Sequence, residues 1–280
     1  MSGGGVRRRG LLVAAGAGVA GAVLPAAAAS AAPGPIEPGA DGVYSLCFLG
    51  DSYMAGTDST DGNGCRKAVL DALIINNEMR NVRCVGSQAS TGTGGGFGYT
   101  VPLVHEGRPG WTSTQLLNLV NGGGLSYAQG RPHVVLVMAG ANDFGAGDSP
   151  AAVCANLGAL VDAVLADCPG AGVVLCEAVL MSSYKSSTLT ARTRQAQELN
   201  ALLPDLVAAR ADRVVLARTS LLDQQDINSG GVHPTDGGYQ RMGYLLYAAL
   251  RPWFGAQGKF LVPIRSPWAP GPDPLKLGAS

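Results

Sequence analysis

Five short apolar runs, each closed by turn residues, most narrowly limit what this chain can fold into: Tyr44–Gly50, Val82–Gly86, Val134–Ala139, Gly172–Ala178 and Arg213–Ala217. Their hydrophobicity is nearly continuous, which suits strands buried on both faces, as in a parallel sheet. Helical patterns lie between them. Cys65–Met79 places Val69, Leu70, Leu73 and Ile74 at helical spacing, and Thr112–Asn121 predicts a shorter helix. Pro150–Ala166 follows Ser149, a natural N-cap, and has proline at its first position. Leu189–Ala209 is long, with Pro204 predicting a break or kink, and Thr235–Leu250 closes the domain. Strand alternating with helix argues for an open α/β sheet covered by helices on both faces. Ligands of such sheets bind beyond the carboxyl ends of the strands, a rule that sorts the candidate residues.

The flanks read differently. Residues 1–31 have the pattern of a targeting segment: Arg7, Arg8 and Arg9, then an apolar Ala-rich stretch from Gly10 to Ala29, then small residues around Ala29, Ser30 and Ala31. Arg8-Arg9 followed by Gly10, Leu11 and Leu12 resembles a twin-arginine signal. The apolar stretch is about as long as a membrane span, but it is weakened by Gly and Ala and ends in a cleavage-like site. The expectation is a secreted, extracellular protein with no stable membrane insertion after signal cleavage. Residues 32–43 read as a short leader, 44–254 as the domain, and 255–280 as a Pro-rich tail.

Export would place six cysteines, at positions 47, 65, 84, 154, 168 and 176, in an oxidising compartment that permits up to three disulfides. Cys154 and Cys168 bracket one predicted helix, so ~21 Å separates them and they cannot bridge each other. The remaining connectivities stay open. There is no C-x-x-C pair and no Cys/His cluster, which argues against structural zinc. The 20 basic and 20 acidic residues cancel, and no Lys/Arg cluster interleaves with aromatics, so nucleic acid has no evident docking surface.

The first apolar run ends in Gly50-Asp51-Ser52, which sets Ser52 where a substrate would meet it. The tripeptide alone says little, because it recurs at Gly147-Asp148-Ser149, where the serine is better explained as a helix cap. The third run ends in Gly140-Ala141-Asn142-Asp143. The Asn142 amide is a donor suited to a developing oxyanion, whereas a carboxylate at Asp143 would oppose that charge and reads as structural. Gly110, in His105-Glu-Gly-Arg-Pro-Gly-Trp-Thr112, lacks a side chain, so an oxyanion could approach its N–H closely. Of three histidines, His133 starts a strand at the wrong edge and reads as structural. His105 could line the site. His233, before Pro234 and the last helix, can reach the carboxyl edge as a base.

The ordered set Gly50-Asp51-Ser52, Gly110, Gly140-Ala141-Asn142-Asp143 and His233-Pro234 resembles the four signature blocks of the SGNH (GDSL) hydrolase superfamily. The segments Val85-Gly-Ser-Gln88, His105–Thr112 and His233–Tyr239 look most like carbohydrate esterase family three, whose members remove acetyl groups from plant polysaccharides such as xylan. The resemblance implies a three-layer α/β/α sandwich on a five-stranded parallel, flavodoxin-like sheet. It implies Ser52 as nucleophile and His233 as base, with an oxyanion hole from the Ser52 and Gly110 N–H groups and the Asn142 side chain. It implies no metal or organic cofactor, and an acylated carbohydrate or other small ester as substrate.

One position departs from the family pattern. The superfamily usually has Asp three residues before the catalytic His, and this chain has Gly230. Asp226 lies seven residues before His233, across a flexible Gly-containing stretch whose ordering would be entropically costly. The sequence therefore favours a backbone carbonyl over Asp226 as the group that orients His233. A short-acyl esterase is the leading reading. A lipase or phospholipase of the same fold is the second, and a catalytically degenerate carbohydrate-binding or cell-wall protein is the third.

Overall fold

The computed structural model describes Met1 and residues 35–75, 81–90, 93–94, 101–125, 130–182 and 185–254. The expected signal segment, the first residues of the leader and the Pro-rich tail lie outside the described residues. The chain divides into two units, Met1–Ser30 and Ala31–Ser280, and every described strand and helix belongs to the second.

The strands are β1 (Tyr44–Gly50), β2 (Val82–Val85), β3 (Thr93–Gly94), β4 (Val101–Pro102), β5 (Glu106–Gly107), β6 (Val134–Met138), β7 (Gly172–Cys176) and β8 (Val214–Ala217). The helices are α1 (Ser52–Ala55), α2 (Cys65–Ile75), α3 (Ser113–Asn121), α4 (Ala141–Ala146), α5 (Pro150–Asp167), α6 (Ser187–Ala208) and α7 (Asp236–Leu250). The main sheet runs β2-β1-β6-β7-β8, every pair parallel, and β3 with β4 forms a separate two-stranded ribbon. Counting only the long strands, the order is 2-1-3-4-5, the flavodoxin-like winding. The short β5 adds a sixth strand, pairing parallel with the end of β1 after β2 has left it.

Side chains alternate across the sheet, and both faces are buried. Leu46 and Phe48 of β1, Leu136 of β6 and Val174 of β7 pack under α2 and α7. Cys47 and Leu49 of β1, Val135 and Val137 of β6, and Val173 and Leu175 of β7 pack under α3, α5 and α6. Each fully buried Leu or Phe in these layers stabilises the fold by about 1.5–3 kcal/mol. By length and composition α5 could cross a membrane, yet its Val153, Leu157, Leu160, Val161 and Val164 are buried in the second layer.

The helix signals act as their chemistry suggests. The Ser149 hydroxyl accepts from Ala152 N–H and caps α5, and Thr112 with Gln115 forms a capping box on α3. The Thr235 hydroxyl caps α7. Of the break or kink expected at Pro204, the break is absent: α6 runs as one helix through it. Of the up to three disulfides that the six cysteines permit, the structure forms none. The cysteines serve as small apolar side chains on different layers. Cys84 sits in register with Leu46, so it and Cys47 face opposite sides of the sheet. Burial pushes the Cys65 and Cys84 thiols up to about 12, which keeps them protonated and inert.

Candidate active site

The flavodoxin-like order changes direction between β1 and β6, the point at which sheets of this kind bind their ligands beyond the strand ends. Gly50, the last residue of β1, pairs with Gly107 of β5 on one side and Met138 of β6 on the other. Three chain segments therefore leave the sheet side by side. Ser52 lies two residues past this register, Gly110 three and Asn142 four.

Ser52 opens α1, whose N-cap is Asp51; the Asp51 side chain accepts from Tyr53 N–H. The Ser52 N–H makes no hydrogen bond among the described residues, as expected for the first turn of a helix. Gly107 must be glycine, since a Cβ there would stand 2.2 Å from the Ala55 nitrogen. Beyond it, Trp111 N–H donates to Arg108 C=O across Pro109 and Gly110, and Gly110 has φ +83°. Proline then left-handed glycine is the signature of a type II turn. Gly110 is exposed and its N–H is likewise unbonded among the described residues. One Asn142 amide hydrogen goes to Trp111 C=O at 2.9 Å, which ties α4 to the Gly110 turn. The other remains for a ligand.

The buried Asp143 carboxylate accepts from Ser113 N–H and the Ser113 hydroxyl, so it joins α4 to α3 and is structural as read from the sequence. His133 is also structural, its Nδ1 accepting from Ser45 N–H. His105 does not serve the chemistry. It is buried, its Nδ1 accepts from Gly107 N–H, and desolvation pushes it down to about 4, so it stays neutral and braces the turn.

His233 Nε2 lies 2.9 Å from Ser52 Oγ. Tyr53 supports it twice: its ring meets the imidazole edge-on at 5.6 Å, and its hydroxyl donates to Val232 C=O. On the far side of the ring, His233 Nδ1 lies 2.8 Å from Asp58 Oδ2. A carboxylate can only accept there, so the proton sits on Nδ1 and the Nε2 lone pair faces the serine.

Asp58 corrects both groups weighed for this place from the sequence. Asp226 is buried elsewhere, bonded to Asp223 N–H and to the Arg241 guanidinium at 2.8 Å. No backbone carbonyl is needed at Nδ1. Asp58 arrives because α1 lasts a single turn. Gly56 caps it in the left-handed region and Thr57 N–H returns to Ser52 C=O. Asp58 then takes φ +68°, and among the described residues no other non-glycine has positive φ. Such a backbone costs of order 1 kcal/mol, a strain that concentrates at functional sites. Asn228 Nδ2 also donates to Asp58 Oδ2, and the His233 hydrogen bond holds this carboxyl below its usual range. The visible cue was Gly56: a helix stopped there must fold its next residues back over its own start.

A model of the GDSL-like lipase/acylhydrolase family matches residues 48–241. No curated protein matches the chain. Similar solved structures include an acetyl esterase mutant with an acetate ion, at 21% identity and TM-score 0.61, over 76% of this chain and 99% of that one. A carbohydrate esterase family 3 protein from Talaromyces cellulolyticus gives 21% identity and TM-score 0.60, over 76% and 99%. A Clostridium thermocellum family 3 carbohydrate esterase gives 21% and 0.60, over 76% and 98%. At that identity the neighbours speak for the fold, and the family match spans all four sequence blocks: this chain belongs to the GDSL-like lipase/acylhydrolase family.

Proposed function

We propose that the protein is a secreted serine esterase that removes short acyl groups, acetyl above all, from polysaccharide. The observation that carries the reading is the chain of contacts from Ser52 Oγ through His233 to Asp58, at 2.9 and 2.8 Å. Ser52 Oγ attacks the ester carbonyl while His233 Nε2 takes its proton. The oxyanion is held by the free N–H groups of Ser52 and Gly110 and by the Asn142 amide. His233 returns the proton to the leaving alcohol, and a water activated by the same ring then cleaves the acetyl-serine. Asp58 holds the ring in its working tautomer and stabilises the imidazolium. The acetyl preference is supported by the His105–Thr112 segment and the acetylesterase neighbours; export is supported by residues 1–31. The intact Ser52–His233–Asp58 contacts weigh against a degenerate binding protein.

A rate series across p-nitrophenyl esters from acetate to octanoate, beside acetic acid release from acetylated xylan, tests the reading. Acetate is expected to be fastest, and a serine-directed phosphonate to label Ser52 and spare Ser149. Octanoate as best substrate, with no acetic acid released, would make the protein a lipase instead.

A further inference from the structure

The first turns of α6 play no part in the chemistry above, yet they touch the segments that carry the site residues at two places. Leu189 packs against Gly231, where an added Cβ would lie 2.9 Å from the Leu189 Cδ1. Arg192, three residues on and so on the same helix face, lays its guanidinium on Gly145, with Nη2 2.8 Å from where a Cβ would stand. Gly145 is itself three residues past Asn142 and shares a face of α4 with it. Arg192 therefore lies against the helix that offers the oxyanion donor, on the face of α6 whose Leu189 touches the loop that carries His233.

This guanidinium has no hydrogen bond or ion pair among the described residues, although it is half-buried. Other half-buried or buried arginines have partners, although the Nε atoms of Arg108 and Arg241 make no hydrogen bond among the described residues. Arg66 donates to Met54 and Leu103 carbonyls, Arg108 pairs with Glu106, and Arg241 pairs with Asp223 and Asp226. The chain has no net charge that would attract an anion generally, so any preference must be local. A planar fork of donors with no partner among the described residues matches a carboxylate, which it can take bidentately. An acetyl group carries no charge, so the anion must belong to the alcohol.

We propose that Arg192 is a substrate-binding residue for a carboxylate on the alcohol portion, so that the preferred ester is an acetylated polysaccharide containing uronic acid. The proposal rests on the esterase reading and narrows its substrate class. The test compares acetylated glucuronoxylan, the same polymer with its carboxyls reduced to alcohols, and uncharged p-nitrophenyl acetate. The wild-type enzyme should favour the acidic polymer over the reduced one by about five- to tenfold in kcat/KM, and less at high salt. Arg192→Gln should lose that preference while keeping p-nitrophenyl acetate within about twofold, which also reports that it folds; Arg192→Lys should keep part of it. Equal wild-type rates on the two polymers would overturn the proposal. So would an equal loss on p-nitrophenyl acetate, which would make Arg192 structural. Dependence on Arg192 seen only with lysophospholipid would overturn it in favour of a phosphate headgroup. A wild-type enzyme inactive on p-nitrophenyl acetate would instead strike the esterase reading beneath it.

Discussion

The segment after β1, Asp51–Gly64, and the segment before α7, Asp223–Thr235, meet at His233 but hold the groups proposed for catalysis by different means. The first uses a strained, partly exposed backbone. Asp58 has φ +68° and half its side chain in solvent, fixed by His233 and Asn228. The second uses a buried anchor. Asp226 and Asp223 clamp Arg241, and backbone bonds from Thr235 N–H to Asp226 C=O and from Asn228 N–H to His233 C=O close the loop. An aspartate in each loop thus has its own task. Asp58 orients a ring, and Asp226 holds the base of the loop that presents it. A triad acid need not come from the histidine's own segment when the nucleophile's segment turns back far enough.

The steepest loss should come at the ring itself, and it shows whether Asp58 acts only through that ring. His233→Ala should lower kcat by ~10⁶, and adding Asp58→Asn to that variant should cost almost nothing more. A further tenfold loss in the double variant, read by p-nitrophenyl acetate kinetics, would give Asp58 a role apart from His233.

On the other loop the effect should fall on stability. Asp226→Ala breaks a buried ion pair, leaving Arg241 with Asp223 alone, and should destabilise by about 3 kcal/mol in urea unfolding. The folded variant should keep kcat within about tenfold of wild type, since Asp226 does not touch the ring. Unchanged stability with a collapsed kcat would reverse the roles of the two aspartates.

A subtler contrast separates two carboxyls within the first loop. Burial pushes Asp51 up to about 7, from an ordinary 3.8, while Asp58 is held low by His233. The folded state therefore binds the Asp51 proton more tightly than the unfolded chain does. Its contribution is fully favourable below about 4, falls as pH rises to about 7, and then levels. Asp51→Asn has no such titration, so its Tm relative to wild type should climb across that window. Parallel Tm curves from pH 4 to 8 would mean that Asp51 is already ionised in the fold.

Much of the frame was legible in advance because buried parallel strands declare themselves one at a time. All five apolar runs became strands within one or two residues of their expected ends, and Ser149 capped its helix. Ser52 and His233, which the structure brings together, could be singled out because each sits at a strand or helix boundary that the pattern marks. α1 and α4 were missed, since four and six residues are too few to show a helical period. Asp58 was missed for a related reason. Its contact with His233 spans 175 positions and depends on one left-handed residue after Gly56, and hydrophobic pattern carries no trace of either. Pro204 does not break α6, because its neighbours Leu199, Leu203 and Leu206 are packed deeply enough to carry the helix past it.

The assignment of the acid turns on the kcat of Asp58→Asn beside that of Asp226→Asn, both with p-nitrophenyl acetate under conditions where each variant is folded. Asp58→Asn should fall by ~10²–10⁴, because the amide no longer enforces the tautomer that leaves Nε2 free to accept the serine proton. Asp226→Asn should stay within about tenfold, its Arg241 contact weakened but the ring untouched. The reverse order would refute Asp58 as the orienting acid and return that role to the histidine's own loop.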